Sequence, residues 1–158
     1  MLEKAQEVFD RIPVHDVISW TTLIAGYAEV EESEKAFHAF NRMREAGKTP
    51  DDITFLSVMT LCSHIGLVSK GEKYYEEMSK EYGMALSSEH LSCLINLFSR
   101  VGDLDRAIAL FKEIPSSGAV CRIVLNGSRS WGNIGLGKEV FDLHVLKQNK
   151  GTTMIANM

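Results

Sequence analysis

Apolar residues recur along this chain in a register whose period is about 35 residues. Within this register a small residue precedes an aromatic residue by four positions, as Ala36 precedes Phe40. The other members of the register are Ala5 with Phe9, Gly71 with Tyr75, Ala107 with Phe111, and Gly137 with Phe141. A fixed period of this length indicates one supersecondary unit that is stacked on copies of itself.

A second register lies upstream of the first one in each unit. In the first complete unit it begins with Trp20, and Leu23, Ile24 and Tyr27 follow. Apolar residues at positions i, i+3, i+4 and i+7 form one face of an α-helix, and we expect that face to be core. The register begins again at Phe55, Leu91 and Cys121. Together the two registers predict a repeated hairpin of two helices.

In the first complete unit, the pattern predicts one helix over 17–27 and a second over 34–46. Gly47 then occupies a position that favours a left-handed backbone, and Pro50 cannot continue a helix. We therefore expect an all-α fold, a right-handed α-solenoid of antiparallel helix-turn-helix hairpins that winds as a superhelix. Residues 152–158 predict the start of a further helix.

Composition and charge narrow the classes of function. The chain has 158 residues, of which 45% are hydrophobic and 24% are charged, as in ordinary globular proteins. No apolar run approaches the roughly 18 residues that span a bilayer, so no membrane partner is expected. The three cysteines lack close pairing, which favours reduced thiols. The net charge of −4 argues against a protein that holds nucleic acid mainly by neutralising phosphates.

Several stretches of the chain resemble one known family, the pentatricopeptide repeat (PPR) proteins. The resemblance extends to the plant PLS subclass, in which repeat variants of different length succeed one another. It covers nearly the whole chain. The matching stretches are 17–27 for the opening of a repeat, 61–68 with 79–83 for the long variant, 89–90 with 97–104 for the short variant, and 128–137 for the extension motif that follows the last repeat.

The resemblance labels the segments that the two registers delimit. Because both ends of the chain fall inside the repeat pattern, we expect it to be a piece of a longer array. The segments are 1–16, the second helix of a truncated repeat; 17–51, a PPR repeat; 52–87, a long-variant repeat; 88–119, a short-variant repeat; 120–150, a degenerate extension (E) motif; and 151–158, the truncated start of a further helix.

The resemblance implies that each repeat recognises one nucleotide of single-stranded RNA, and PPR repeats are a named example of such a code. It implies a parent protein that acts as a specificity factor for C-to-U RNA editing in mitochondria or chloroplasts of plants. A DYW-type deaminase or an editing-complex protein would be a partner of the extension motif. The deaminase signature, HxE followed by PCxxC, is absent from this chain, so we expect no enzymatic activity and no cofactor.

By resemblance, Thr21 and Asp51 read the edge of one base, and the family's pairing of Thr with Asp implies guanine. A carboxylate only accepts hydrogen bonds, and the Watson–Crick edge of guanine is rich in donors. Ile18 and Ile53, at matching positions of consecutive repeats, would sandwich that base. Asp16 would be half of a further site.

The remaining repeats match the base code less well. Ser92 could read a purine, but its partner falls within 116–119, where the alignment loses about two residues, and Glu89 replaces the apolar clamp. Leu56, paired with Ser87, carries no hydrogen-bonding group, so no discrimination is predicted there.

Each of these residues also has a plainer interpretation. Thr21 could be a hydroxyl on the helix surface, and Asp51 could be a cap at the start of a helix. A zinc site could be drawn from Cys62, His64, His90 and Cys93, but no CxxC or HxxxH spacing supports it, so no metal is expected.

Two other functions compete with RNA recognition. One is a protein-interaction solenoid like that of tetratricopeptide repeats, which would bind a peptide or a deaminase partner. The net charge and Leu56 favour this alternative, whereas the 35-residue spacing from Trp20 to Phe55 opposes it. The other is a degenerate segment without activity of its own.

Overall fold

A computed structural model describes residues 2–115 and 117–156, and these residues form helices joined by short connections without any strand. This architecture confirms the predicted all-α class. The helices are α1 (Leu2–Arg11), α2 (Val17–Glu29), α3 (Ser33–Glu45), α4 (Asp52–Ile65), α5 (Val68–Glu76) continued by a π-helical turn (Glu77–Glu81), α6 (Ser88–Val101), α7 (Leu104–Glu113), α8 (Gly118–Ser130) and α9 (Ile134–Ala156).

The helices divide into two compact units, residues 1–86 (unit 1) and residues 87–158 (unit 2). In unit 1 the hairpins are α2 with α3 and α4 with α5, and in unit 2 they are α6 with α7 and α8 with α9. The first helices of consecutive hairpins pack side by side, α2 on α4 and α6 on α8. Within the described residues, no helix is both long and apolar enough to cross a bilayer.

A capping side chain precedes the first helix of every hairpin. Each cap accepts a hydrogen bond from the backbone N–H three residues further along, which satisfies one of the free donors at a helix N-terminus. The caps therefore mark the same position in each unit, and later residues can be counted from them. They are Asp16 for α2, Asp51 for α4, Ser87 for α6 and Ser117 for α8.

The core follows the two registers that the sequence predicted. Trp20 is 2% exposed, and its ring lies edge-on to Phe9 of the preceding helix, with 4.6 Å between the ring centroids. Phe55 repeats this contact with Phe40 at 5.6 Å. The leading residue of each first helix thus covers the aromatic residue of the helix before it, and the core interpretation of Trp20 is confirmed.

Two members of the aromatic register do not lie in the core. Tyr74 is buried in place of Tyr75, because its ring fills the space over Phe37 and Phe40 at centroid distances of 6.0 and 5.1 Å. Phe141 is 54% exposed, since no described helix covers that side of α9.

The end of the chain also differs from the expectation. Helix α9 runs without a break from Ile134 to Ala156, so the separate helix predicted from residue 152 is wrong, and residues 152–156 continue α9. Gly151 does not end the helix, because glycine inside a helix costs only about 1 kcal/mol and no proline follows it. The last two predicted positions, 157 and 158, lie outside the described residues.

Candidate nucleic-acid interface

The structure brings together two of the predicted base-reading residues, Thr21 and Asp51. Thr21 lies in α2, and Asp51 caps the neighbouring first helix α4. The Thr21 hydroxyl donates a hydrogen bond to Asp51 Oδ1 over 3.4 Å. Two residues that are 30 positions apart therefore share one polar site because α2 packs against α4.

A third residue, Thr54, completes this site and was missed in the sequence. Its Oγ1 lies 2.6 Å from Thr21 Oγ1, and it also donates to Asp51 Oδ1. Asp51 and Thr54 form a reciprocal capping box, in which each side chain accepts a hydrogen bond from the backbone N–H of the other. The signal that could have found Thr54 is the Asp-x-x-Thr spacing directly before the Phe55 register.

The Thr21 hydroxyl is buried rather than exposed on the helix surface. Thr21 is 7% exposed and Thr54 is 0% exposed. In every arrangement that these contacts allow, the Thr21 proton points toward Thr54 or Asp51. The free lone pairs of Thr21 can therefore only accept, and the plainer interpretation of Thr21 as a surface hydroxyl is wrong.

The half-buried Asp51 carboxylate keeps one oxygen outside this network. All three of its side-chain contacts, with Thr21 and with the amide and hydroxyl of Thr54, are made by Oδ1. Oδ2 accepts no hydrogen bond from the part of the chain that the structure describes. The interpretation of Asp51 as a helix cap is confirmed, and the cap leaves an acceptor for a ligand.

The two predicted clamp residues project from the same edge of unit 1. Ile18 is 72% exposed and Ile53 is 56% exposed. Each lies two residues beyond its cap, Asp16 or Asp51, at the start of α2 or α4. Neither isoleucine contributes to the core, so both present apolar surface beside the polar site.

Asp16 occupies the position of Asp51 in the preceding repeat. Its Oδ1 accepts from the backbone N–H of Ser19 at 2.8 Å and also from the Ser19 hydroxyl. These hydrogen bonds, that of the Ser19 side chain first, lower the pKa of the Asp16 carboxyl, which is therefore ionised at neutral pH. Asp16 repeats the cap of Asp51 without a described threonine opposite it.

The predicted site around Ser92 is not assembled in the same way. The cap of α8 is Ser117, which identifies the position within 116–119 that corresponds to Asp51. The Ser92 hydroxyl donates to the carbonyl oxygen of Ser88 at 2.6 Å, one turn back in its own helix. Ser117 accepts from the N–H of Val120, and no hydrogen bond joins it to Ser92.

The positions next to Ser92 and Ser117 are also unlike those of unit 1. Glu89, at the clamp position, is exposed, and a hydrogen bond from Ser87 lowers the pKa of its carboxyl. Leu56, the predicted non-discriminating residue, is half-buried in α4. The described residues hold no cluster of three or more metal-ligating side chains, and Cys62 and Cys121 are buried thiols.

The cations that could contact phosphate in unit 1 are engaged within the protein. Arg44 Nη1 lies 3.3 Å from Oε2 of the buried Glu77, and Lys73 approaches the same carboxylate at 3.5 Å. The Arg42 guanidinium lies 5.4 Å from the centre of the Trp20 ring. These contacts favour a structural role for the two arginines.

Comparison with protein-family models matches three parts of the chain. The model described as the PPR repeat family matches residues 15–64, and the model described as the PPR repeat matches residues 53–82 and 89–118. The matched segments include the Thr21, Asp51 and Thr54 site.

Several curated proteins of Arabidopsis thaliana are similar to this chain. The mitochondrial pentatricopeptide repeat-containing protein At3g53360 is 36% identical over 92% of the chain, and the chloroplastic protein ELI1 is 37% identical over 88%. The pentatricopeptide repeat-containing protein At5g48910 is 34% identical over 90%. The chain spans only 19% of the first relative and 22% of the other two.

Solved structures with the same fold include the pentatricopeptide repeat protein PPR10 from maize. Its crystal structure matches 89% of this chain and 21% of its own, with a TM-score of 0.75 and 22% identity. PPR10 in complex with an 18-nt psaJ RNA element matches 94% of this chain and 23% of its own, with a TM-score of 0.76 and 21% identity. At this level of identity the similarity extends to the solenoid fold.

Proposed function

Because this chain belongs to the pentatricopeptide repeat family, we propose that unit 1 binds single-stranded RNA and reads one base at Thr21 and Asp51. The observation that carries the proposal is the Asp51 carboxylate, whose Oδ1 caps α4 while Oδ2 has no partner among the described residues. Ile18 and Ile53 flank this site as exposed apolar side chains, suited to cover the two faces of a base. PPR10, which shares the fold, forms a complex with RNA.

The hydrogen-bonding pattern of the site favours guanine. Thr21 Oγ1 and Asp51 Oδ2 are both acceptors, because the hydroxyl proton is used inside the protein and the carboxylate has none. Guanine presents two adjacent donors, N1–H and N2–H, on its Watson–Crick edge. Adenine, cytosine and uracil each present an alternation of donor and acceptor there, so one acceptor of the protein would face an acceptor of the base.

The charge of the protein limits how the RNA is held. With a net charge of −4 and with Arg44 paired to Glu77, phosphate neutralisation contributes little. Stacking and hydrogen bonds to the base would then supply most of the affinity, and a shallow dependence on salt is expected.

We extend the proposal to the longer protein of which such repeats form part. The order of long and short variants and the segment 120–150 resemble a PLS-class protein with an extension motif, which implies a non-catalytic specificity factor for C-to-U editing. A DYW-type deaminase or an editing-complex protein would be its partner. Relatives that are named mitochondrial or chloroplastic support an organelle as its location.

The substitution Asp51→Asn tests base reading. Asparagine caps helices as well as aspartate does, so α4 should keep its start. Its amide replaces the outer acceptor with a donor when its oxygen takes over the cap. The preference for guanine at the facing position is therefore expected to fall about tenfold and to shift toward adenine or cytosine, which offer an acceptor next to a donor. Fluorescence anisotropy with RNA oligomers that differ at one base measures this preference.

The matched control is Asp52→Asn, which removes the same charge at the adjacent exposed position outside the network. It should leave the guanine preference unchanged. Equal affinities of the unsubstituted protein for all four bases, or an unaltered preference in Asp51→Asn with normal helix content, would contradict the assignment of Asp51.

A further inference from the structure

Unit 2 carries a polar groove of about 370 Å³ between its two first helices, α6 and α8. Asn96 and Arg100 line it from α6, and Asn126, Ser130 and Trp131 line it from α8 and its end. Base reading in unit 1 uses the start of the first helices, whereas this groove lies along their later turns.

Two asparagines occupy equivalent positions in this groove. Asn96 follows the cap Ser87 by nine residues, and Asn126 follows the cap Ser117 by nine residues. Neither amide makes a hydrogen bond within the part of the chain that the structure describes, and both line the same groove. Each therefore offers a donor and an acceptor to a ligand.

The corresponding groove of unit 1, between α2 and α4, has a different lining. The positions of the two asparagines are held by Ala25 and Thr60, and Ala28 and Leu56 make this groove largely apolar. The pair of amides is thus a feature of unit 2 and not a consequence of the repeat itself.

A pair of side-chain amides matches the main chain of an extended peptide. The C=O and N–H groups of a peptide bond accept and donate within reach of one asparagine, whatever the peptide's sequence. Packed helices lie about 8–10 Å apart, and three residues of extended chain span about 10 Å. One extended segment can therefore reach both Asn96 and Asn126.

The charges around the groove favour an acidic ligand. Arg100 lies in the groove, and the charged residues of α8 are Arg122 and Arg129. Phosphates of RNA share this charge preference, but the clamp positions of unit 2 are Glu89 and Ala119. An ionised carboxylate and a methyl group do not stack on a base, so a peptide fits this unit better than RNA.

Trp131 gives the end of the groove a fixed apolar platform. Its indole N–H donates to the carbonyl oxygen of Ser99 at 3.2 Å, and its ring packs on the backbone of Gly102. The side chain nevertheless stays 57% exposed. Such a ring can receive one apolar side chain of a ligand at little cost in conformational entropy.

We propose that unit 2 binds an acidic peptide in extended conformation, with its main chain paired to Asn96 and Asn126. A carboxylate of the peptide faces Arg100, and an apolar side chain packs on Trp131. This site is independent of RNA recognition at Thr21 and Asp51 in unit 1.

The test uses the whole chain and a fluorescein-labelled peptide of ten residues with aspartate at every third position and leucine and serine between. Saturable binding is expected, since main-chain recognition tolerates the choice of side chains. Replacing both Asn96 and Asn126 by alanine should weaken binding at least tenfold, because each amide contributes two hydrogen bonds. The control Asn41→Ala, an exposed asparagine of α3 in unit 1, should leave it unchanged.

Two further probes separate the possible outcomes. A peptide whose main-chain nitrogens are methylated should bind at least tenfold more weakly, and a peptide with lysine in place of aspartate should also bind more weakly. The proposal is overturned if the acidic peptide does not bind, if the double substitution has no effect on binding, or if the methylated peptide binds equally well. It is also overturned if the substitutions reduce binding of a ten-nucleotide oligouridine instead of the peptide.

Discussion

The substitution Phe40→Ala is expected to lower the free energy of unfolding of unit 1 by about 3–5 kcal/mol. Phe40 is 0% exposed and contacts the rings of Phe55 and Tyr74, at 5.6 and 5.1 Å between centroids. Alanine leaves a cavity where α3, α4 and α5 meet, and the rings around it belong to three different helices. Small helical arrays have a few kcal/mol to lose, so unit 1 should be partly unfolded at room temperature.

Urea unfolding followed by tryptophan fluorescence measures this effect unit by unit, because Trp20 lies in unit 1 and Trp131 in unit 2. A background with Trp131→Phe isolates the Trp20 signal. The control is Phe141→Ala, the same substitution at the same register but at a side chain that is 54% exposed. It should cost less than about 1 kcal/mol in a Trp20→Phe background. Similar losses for the two substitutions would show that the register, and not burial, sets the contribution.

The substitution Gly102→Ala is expected to lower the free energy of unfolding of unit 2 by about 2 kcal/mol or more. Gly102 ends α6 with a φ of +84°, in the left-handed region where a side chain costs roughly 1–2 kcal/mol. A Cβ at this position would also lie 2.8 Å from the ring of Trp131, so the indole must move. Its hydrogen bond to the Ser99 carbonyl would be lost with that movement.

A second glycine separates these two causes. Gly47 has a φ of +68° and open space where a Cβ would be, so Gly47→Ala should carry the backbone cost alone. Combining Gly102→Ala with Trp131→Ala should recover the part due to the collision. Equal losses for Gly47→Ala and Gly102→Ala, each measured by urea unfolding of its own unit, would rule out a contribution from Trp131.

The helices were predictable because their signals are local. The Trp20, Leu23 and Ile24 spacing predicted a helix over 17–27, and α2 runs from Val17 to Glu29. Capping depends on a side chain and a backbone N–H three residues apart, so the starts of α2 and α4 can be read from Asp16 and Asp51.

The same pattern was less informative about which side chains become buried. Tyr74 and Tyr75 are adjacent aromatic residues, and the register selected the second of them. The structure buries Tyr74, because the surface available to it is made by Phe37 and Phe40, from a helix more than 30 residues earlier. The exposure of Phe141 has a similar origin, since its register matches Phe40 but its surroundings do not.

The candidate site was predictable only in part. The resemblance named Thr21 and Asp51, but their individual chemistry left a surface hydroxyl and a helix cap as equal alternatives. The contact between α2 and α4 buried Thr21, added Thr54 and left Asp51 Oδ2 outside the network. That combination of acceptors determines the base that the site prefers.

By itself, the sequence determined the helices, their caps and the period of the hairpins, because these depend on residues within a few positions of one another. Only the tertiary structure decided that Thr21, Asp51 and Thr54 share one site and that Asn96 and Asn126 line one groove. Both arrangements join residues about 30 positions apart, and such pairs meet only when the first helices of consecutive hairpins pack side by side.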